Sequence, residues 1–285
     1  MHLTAQNFFS QTAPVPDPAT ESAFISGLKM RNGTFKQTSP SRFASLEDPL
    51  AQALAPTVQT VDEVLDIGIS IGHTTVELAD FLKRIGGKAR ITGTDLFIDA
   101  HLIELGDKLQ VLTDARGWPL QYSLFGRPFR PWSSRLDYVT LAAVPRALAH
   151  KALRPTLERK IARAETRRVQ LVGQSLQEHG IASVENDVFT RTPAFEGRFD
   201  FIRAANILNN GYFAPEQLRR AIGNIKAYST GVGSHLLVVR TIGDHNNGTL
   251  FQLNNAMRYD VVTRFGQGSE IEALVLGHCD ATPEQ

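Results

Sequence analysis

The feature that most constrains the fold is a strand, a glycine turn and a helix between residues 63 and 95. EVLDIG is a short apolar run ended by Gly68, which is typical of a buried strand. HTTVELADFLKRIGG then places apolar residues at helical spacing before a double-glycine stop. ARITGTDLF indicates a second strand that ends near Asp95. This order predicts a βαβ unit, and therefore a parallel sheet with a right-handed crossover.

Later segments extend the same pattern. IASVENDVF, RFDFIRAANIL and SHLLVVRTI read as further strands, and Pro215 opens a helix. MRYDVVTRF and EIEALVLGH, joined by a turn from Gly266 to Gly268, read as an antiparallel hairpin. The sequence therefore predicts an α/β fold: a doubly wound, mostly parallel seven-stranded sheet with a C-terminal antiparallel hairpin.

The alternation of strands and helices divides the chain into four parts. Residues 1–20 are proline-rich and predict a mobile leader. Residues 21–98 and 179–285 predict the two halves of the sheet domain. Residues 99–178 interrupt it, and we expect a mostly helical insertion, with one hairpin around residues 114–117, that recognises an acceptor or a partner.

Composition narrows the classes of function. The 285 residues carry 30 basic and 29 acidic side chains, which argues against a globally basic nucleic-acid-binding protein. The single cysteine, Cys279, excludes an internal disulfide and a thiolate metal cluster. No apolar stretch reaches the roughly 20 residues that span a bilayer, and the N-terminus lacks the pattern of a secretory signal. We therefore expect a cytoplasmic globular protein.

The turn between the first strand and its helix has the spacing D-x-G-x-S-x-G. Gly68 and Gly72 permit a tight bend and a close approach to the backbone, and the helix N-terminus favours an anionic group. Asp95, at the end of the second strand, is placed to accept hydrogen bonds from ribose hydroxyls. A tight turn with no ligand is the alternative. No Gly-Lys-Ser/Thr follows, so a P-loop is excluded.

VLDIGISIGHTT followed by ITGTDLF resembles motif I and the second-strand acid of the class I S-adenosylmethionine-dependent methyltransferases. RFDFIRAANILNNGYFAPEQLRRAI is similar to the fourth strand and following loop of that family. The resemblance implies a Rossmann-like methyltransferase fold with S-adenosyl-L-methionine as its cofactor. It also implies a set of cofactor-binding residues: the acid before the turn, the turn itself, the acid that binds ribose, and the contact with adenine. These residues are Asp66, Gly68, Ser70, Gly72, Asp95, Asp187 and Val188.

The resemblance further implies methyl transfer to oxygen or nitrogen of a small molecule or a peptide side chain. The loops after the fourth and fifth strands hold the catalytic candidates Asn206, Tyr212 and His245. Asn206 could orient an acceptor or cap a turn, Tyr212 could wall the acceptor site or anchor a helix, and His245 is an acid/base candidate. Arg203 could hold a substrate carboxylate or form a salt bridge. No histidine or cysteine spacing indicates a metal site.

The insertion carries an unusual mixture of side chains. Residues 146–168 contain eight basic and two acidic residues around an apolar stripe, which predicts an amphipathic basic helix. Five aromatic residues precede it between residues 118 and 132. They could form a satellite core or the walls of an acceptor pocket. The helix could cover the site, grip an anionic substrate, pack against a second copy of the chain, or simply present a solvated face.

Two rival functions remain. The bulky Ile69 and Ile71 in the turn fit a non-catalytic methyltransferase-like protein that uses the insertion for interaction or oligomerisation. A nicotinamide-dependent oxidoreductase is the other, although the turn lacks the G-x-G-x-x-G spacing.

Overall fold

A computed structural model describes residues 3–10, 16–37, 39–133, 137 and 143–278. They form two compact units. The parallel unit comprises the described residues of 38–96 and 174–285, and the antiparallel unit those of 1–37 and 97–173. This division differs from the predicted one, since residues 21–37 cluster with the inserted segment rather than with the sheet domain. Cys279 lies outside the described residues.

The elements are numbered along the described chain. The α-helices are α1 Ala5–Phe8, α2 Pro18–Ser26, α3 Glu47–Leu54, α4 His73–Arg84, α5 Ala143–Ala162, α6 Gln174–Glu178, α7 Pro215–Tyr228 and α8 Glu272–Leu276. The strands are β1 Glu63–Ile67, β2 Arg90–Asp95, β3 Asp99–Glu104, β4 Leu109–Asp114, β5 Pro119–Leu124, β6 Arg127–Phe129, β7 Arg167–Gln170, β8 Ala182–Glu185, β9 Phe201–Ala205, β10 His235–Ile242, β11 His245–Leu253 and β12 Tyr259–Phe265. Among these described residues, no helix combines the length and the apolar character needed to cross a membrane.

The parallel unit is built on a seven-stranded sheet in the order β12-β11-β10-β9-β1-β2-β8. The five strands from β10 to β8 are parallel, and β11 and β12 are antiparallel to their neighbours. The predicted fold class, a doubly wound, mostly parallel sheet with an antiparallel hairpin, is confirmed. Strand order reverses between β1 and β9, and this is the switch point at which open α/β sheets bind ligands.

Apolar faces of the helices hold this sheet in place. In α4, Leu78, Phe81 and Leu82 are buried, and the helix starts directly after Gly72, whose φ of 105° only glycine adopts readily. In α7, Pro215 occupies the first turn, where a missing N–H costs nothing. The buried side chains of α7 pack with those of β1, β9 and β10 in one continuous core.

The terminal hairpin is displaced from its predicted position. The structure pairs β11 with β12, and β11 with β10. Residues 272–276, predicted as a strand, form helix α8. A short apolar run such as EALVL does not distinguish a strand from a buried helix by its periodicity.

The antiparallel unit corrects the expectation of a mostly helical insertion. It contains a five-stranded sheet in the order β6-β5-β4-β3-β7, and one long helix, α5. The predicted hairpin around residues 114–117 is present as β4 and β5. The apolar stripe of α5 is present too: Leu157 is fully buried, with Leu153 and Ile161 beside it. Pro155 lies inside α5 without ending it.

The first helices also belong to this unit. The N–H of Ala5 donates to Gln121 Oε1 of β5 at 2.7 Å. Phe8 of α1 stacks on Phe24 of α2, with ring centroids 4.1 Å apart. The described part of residues 1–20 therefore contributes buried side chains and a backbone hydrogen bond to the antiparallel unit.

Candidate functional site

The candidate site lies at the carboxyl edge of the parallel sheet. β1 pairs with β2 on one side and with β9 on the other, and β2 pairs with β8, all in parallel. Because parallel strands end at the same edge, the segments that follow them meet there. These segments are the turn 68–72, Asp95, the turn 186–190 and Asn206.

The turn after β1 has an unusual backbone. Gly68, Ser70 and Gly72 have φ values of 83°, 54° and 105°. Positive φ at a residue other than glycine is uncommon and costs roughly 1–2 kcal/mol. The turn is fixed to β2, since the N–H groups of Gly68 and Ile69 both donate to the carbonyl of Thr94, at 2.7 and 3.0 Å. The free N–H groups of α4 follow at once, which favours an anionic or electron-rich ligand.

Asp95 connects the end of β2 to this turn. Its Oδ2 accepts a hydrogen bond from the N–H of Ser70 at 2.8 Å. This hydrogen bond ties the carboxylate of Asp95 to the backbone of the turn. The bond also explains how Ser70 is held in the left-handed conformation.

The two isoleucines of the turn are directed into the protein. Ile69 and Ile71 are 2% and 0% exposed. A Cβ on Gly93 of β2 would lie 2.9 Å from Ile69 Cδ1. Gly93 pairs with Asp66, whose side chain contacts α4, so Ile69 lies in the layer between the sheet and that helix. The missing side chain of Gly93 therefore accommodates the bulk of Ile69 within the core.

Two other aliphatic side chains pack directly against the glycines of the turn. A Cβ on Gly68 would lie 2.2 Å from Ile207 Cγ1, and one on Gly72 would lie 2.4 Å from Leu176 Cδ1. These glycines are therefore required by packing as well as by their positive φ. Sequence reasoning missed Ile207 and Leu176, because nothing in their local patterns indicates contact with a turn more than 100 residues away in the chain.

Asp66, predicted to precede the cofactor turn as a binding residue, has a different environment. Arg203 of β9 donates from Nε and Nη2 to its two carboxylate oxygens at 2.8 and 2.6 Å. Thr75 donates to Oδ2 at 2.7 Å. Both charged residues are buried, with 1% and 4% exposure. Asp66 and Arg203 thus join β1, β9 and α4, and of the two alternatives for Arg203 the structure shows a salt bridge.

The segment after β8 adjoins the ribose candidate. The N–H of Asn186 donates to the carbonyl of Asp95 at 2.9 Å. Asp187 Oδ1 accepts from the N–H of Phe189 at 3.0 Å, and the carbonyl of Val188 accepts from Asn224 of α7 at 2.9 Å. Asp187 and Val188 therefore lie in a hydrogen-bonded turn next to Asp95, and their contact with adenine stays a prediction.

The three catalytic candidates have different surroundings. Asn206 has a φ of 59°, and its Oδ1 accepts from the N–H of Thr241 at 2.7 Å, which joins β9 to β10. Tyr212 is 81% exposed, and His245 is exposed at the start of β11. The amide oxygen of Asn206 is therefore committed to the protein, whereas the side chains of Tyr212 and His245 face solvent. Within the described ranges, no group of three or more potential metal ligands occurs.

Known proteins resemble this chain in fold but not closely in sequence. No family model matches it, and no curated protein does. Among solved structures, an S-adenosylmethionine-dependent methyltransferase from Clostridium acetobutylicum is 9% identical, covers 84% of this chain and 80% of that one, and has a TM-score of 0.37. The plantazolicin methyltransferase BpumL in complex with SAH is 14% identical, with coverage of 83% and 56% and a TM-score of 0.33.

Other matches are shorter. An O-methyltransferase family protein from Burkholderia thailandensis is 13% identical over 69% of this chain, with a TM-score of 0.32. The chain spans 28% to 38% of the length of four such structures. Similarity at this level assigns no activity. The Rossmann-like methyltransferase fold of the parallel unit rests on the order and direction of its own strands.

Proposed function

We propose that the parallel unit binds S-adenosyl-L-methionine at its carboxyl edge, and that the chain transfers the methyl group to oxygen or nitrogen of a small molecule or a peptide side chain. One observation carries the proposal: Gly68, Ser70 and Gly72 all have positive φ directly before α4, and Asp95 accepts the N–H of Ser70. This arrangement combines a tight, polar backbone turn with a carboxylate at the switch point.

The residues present fit that cofactor. Of the two isoleucines that could have narrowed the site, Ile69 is accommodated against Gly93 and Ile71 is fully buried. In this proposal the turn 68–72 lies beneath the methionine part, Asp95 holds the ribose, and Asp187 with Val188 contacts adenine. Asp66 acts indirectly, since its ion pair with Arg203 fixes the strand that carries the turn. When bound, the cofactor supplies a reactive methyl group on a sulfonium.

What the protein must add is alignment of the acceptor. Methyl transfer is an in-line displacement, and correct alignment is worth roughly 7–11 kcal/mol of the barrier. The loops after β9 and β10 lie at the proposed edge and present Tyr212 and His245. Tyr212 would form one wall of the acceptor site. His245 would take up a proton from the acceptor atom when that atom must lose one. Asn206 would position these loops, because its hydrogen bond to Thr241 joins them.

Transfer of isotopically labelled methyl groups tests this function. An extract of the source cells is separated into a metabolite fraction and a peptide fraction. Each fraction is incubated with the full chain and with S-adenosylmethionine labelled in its methyl group. We expect label in one fraction, reduced about tenfold or more by Asp95→Ala because a charge-assisted hydrogen bond is lost. Asp62→Ala, at the opposite edge of the same sheet, is the matched control and should leave transfer unchanged.

The result also separates the proposal from the non-catalytic alternative. A chain that binds S-adenosylhomocysteine but labels neither fraction would be a methyltransferase-like binding protein. Equal labelling by wild type and Asp95→Ala would contradict the site assignment while leaving the fold intact.

A further inference from the structure

A second site candidate lies entirely within the antiparallel unit. A cavity of about 520 Å³ is lined by side chains from the segment after α2, from β5 and its preceding turn, from the segment after β6, and from α5. This volume is in the range of small-molecule sites, roughly 300–1,000 Å³. Its polar and aromatic lining includes Lys29, Arg31, Trp118, Trp132, Arg146 and His150.

Aromatic rings form part of its wall. Trp118 and Trp132 are the two tryptophans of the chain, and both line this cavity. The backbone of Trp118 is held by Asp114, whose Oδ1 accepts the main-chain N–H of Trp118 at 2.8 Å. Trp132 packs edge-on against Phe35, with ring centroids 5.6 Å apart. Such walls favour a ligand with a flat aromatic face.

The charges around the cavity are unbalanced. Arg31 pairs with Asp114 at 3.4 Å, and Arg146 pairs with Asp137 at 2.5 Å. Lys29 has no carboxylate partner among the residues that the structure describes. Its Nζ lies 5.6 Å from the centroid of the Trp132 ring. A cation beside an aromatic ring, without an anion of its own, is suited to a ligand that carries both a ring and a negative charge.

His150 adds a further polar group without a partner. Its Nε2 is buried and forms no hydrogen bond within the described residues. Its ring lies 4.6 Å from that of Trp118. Burial and the nearby charge of Arg154 lower the pKa of His150 below its usual value, so the neutral ring is favoured at pH 7. A buried nitrogen of this kind usually has a hydrogen-bonding partner, which a bound ligand would supply.

We propose that this cavity binds a planar aromatic carboxylate, with its ring against Trp118 and Trp132 and its carboxylate paired with the ammonium of Lys29. The site goes beyond the proposed methyl transfer and does not depend on it. The ion pairs of Arg31 and Arg146 hold the walls, and the unpaired Lys29 supplies the recognition. A neutral analogue lacks the negative charge that pairs with Lys29, and a saturated analogue lacks the flat ring that packs against the tryptophans.

Tryptophan fluorescence tests the proposal directly, because both tryptophans line the cavity. The full chain is titrated with the planar benzoate and with the neutral benzamide, using excitation that the ligands do not absorb. We expect the carboxylate to quench the fluorescence saturably and to bind about tenfold more tightly than the amide. Asp95→Ala should leave this binding unchanged, so failure here is distinct from failure of the methyl-transfer proposal.

Variants locate the interaction. Lys29→Gln breaks no ion pair in the described structure, so it should fold normally. We expect it to weaken carboxylate binding about tenfold without affecting the amide. Trp132→Leu should weaken both ligands, and Lys151→Gln, exposed on α5, should affect neither. Equal affinity for the two ligands, unchanged affinity in Lys29→Gln, or no quenching at millimolar carboxylate would overturn the proposal.

Discussion

Asp66 and Arg203 face each other on the adjacent strands β1 and β9 and form a buried, bidentate ion pair with N–O distances of 2.8 and 2.6 Å. Arg203 also donates to the carbonyl of Thr74 at 2.9 Å. The pair therefore fixes the switch point of the sheet and the start of α4 together. It therefore supports the backbone segment that carries the turn.

Removing one partner of this pair should be costly. Arg203→Met leaves the Asp66 carboxylate buried and unpaired, and we expect the free energy of unfolding to fall by about 3–5 kcal/mol. Arg219→Met removes an exposed pair with Glu216 and should cost less than about 1 kcal/mol. Urea denaturation followed by circular dichroism measures both. Equal losses in the two variants would contradict the structural role of the buried pair.

Gly68 is predicted to tolerate no side chain. A Cβ there would lie 2.2 Å from Ile207 Cγ1 at a φ of 83°, so Gly68→Ala should lower stability by about 2–5 kcal/mol from strain and overpacking. Ile207→Ala removes the clash. The double variant should therefore show a favourable coupling of about 1–3 kcal/mol in a double-mutant cycle. Additive effects would show that Ile207 does not pack on the turn.

Ser70 provides a test of the turn conformation. Its φ of 54° suits glycine, so Ser70→Gly should change stability by no more than about 1 kcal/mol. Ser70→Val places a β-branched residue in the same region and should cost about 1–3 kcal/mol. Thermal unfolding distinguishes them. Equal melting temperatures for the two variants would mean that residue 70 does not adopt the left-handed conformation.

The sequence predicted the βαβ unit and strands β8, β9 and β10 because each is a short apolar run bounded by turn residues. It missed β11, since HNNGTLFQL begins with polar residues and its pairing depends on β10 and β12. The antiparallel sheet was underestimated for the same reason. Paired residues of β3 and β7 lie 65 to 71 positions apart in the chain, and the helical spacing of α5 dominated the local pattern.

The candidate site was predicted in part. The positions of the turn and of Asp95 follow from strand ends, which local patterns indicate well. The ion pair of Asp66 with Arg203 and the burial of Ile69 against Gly93 depend on neighbours in space. Gly93 inside a strand was a signal of close approach. The interpretation of the 118–132 aromatics as pocket walls stays a prediction, which the cavity around Lys29 supports.

His235 should make stability depend on pH. Burial lowers its pKa from 6.5 to about 4, so the unfolded chain takes up a proton before the folded chain does. The neutral form of His235 therefore adds about 3 kcal/mol to the free energy of unfolding above pH 6.5, and this contribution is lost as the pH falls towards 4. We expect wild type to lose that much more stability between pH 7 and 4 than His235→Leu does.

The exposed His245 provides the control for this pH dependence. Denaturant unfolding of His245→Leu at both pH values should follow wild type. A His235→Leu chain with the same pH dependence as wild type would show that the folded protein holds a protonated imidazole at residue 235.

Calorimetric titration of the full chain with S-adenosylhomocysteine measures directly whether the turn 68–72 and Asp95 form a cofactor site. We expect saturable binding at one site per chain, weakened about tenfold or more by Asp95→Ala and unchanged by Asp62→Ala. The absence of any binding heat to wild type, with no shift in its melting temperature at saturating ligand, would contradict it.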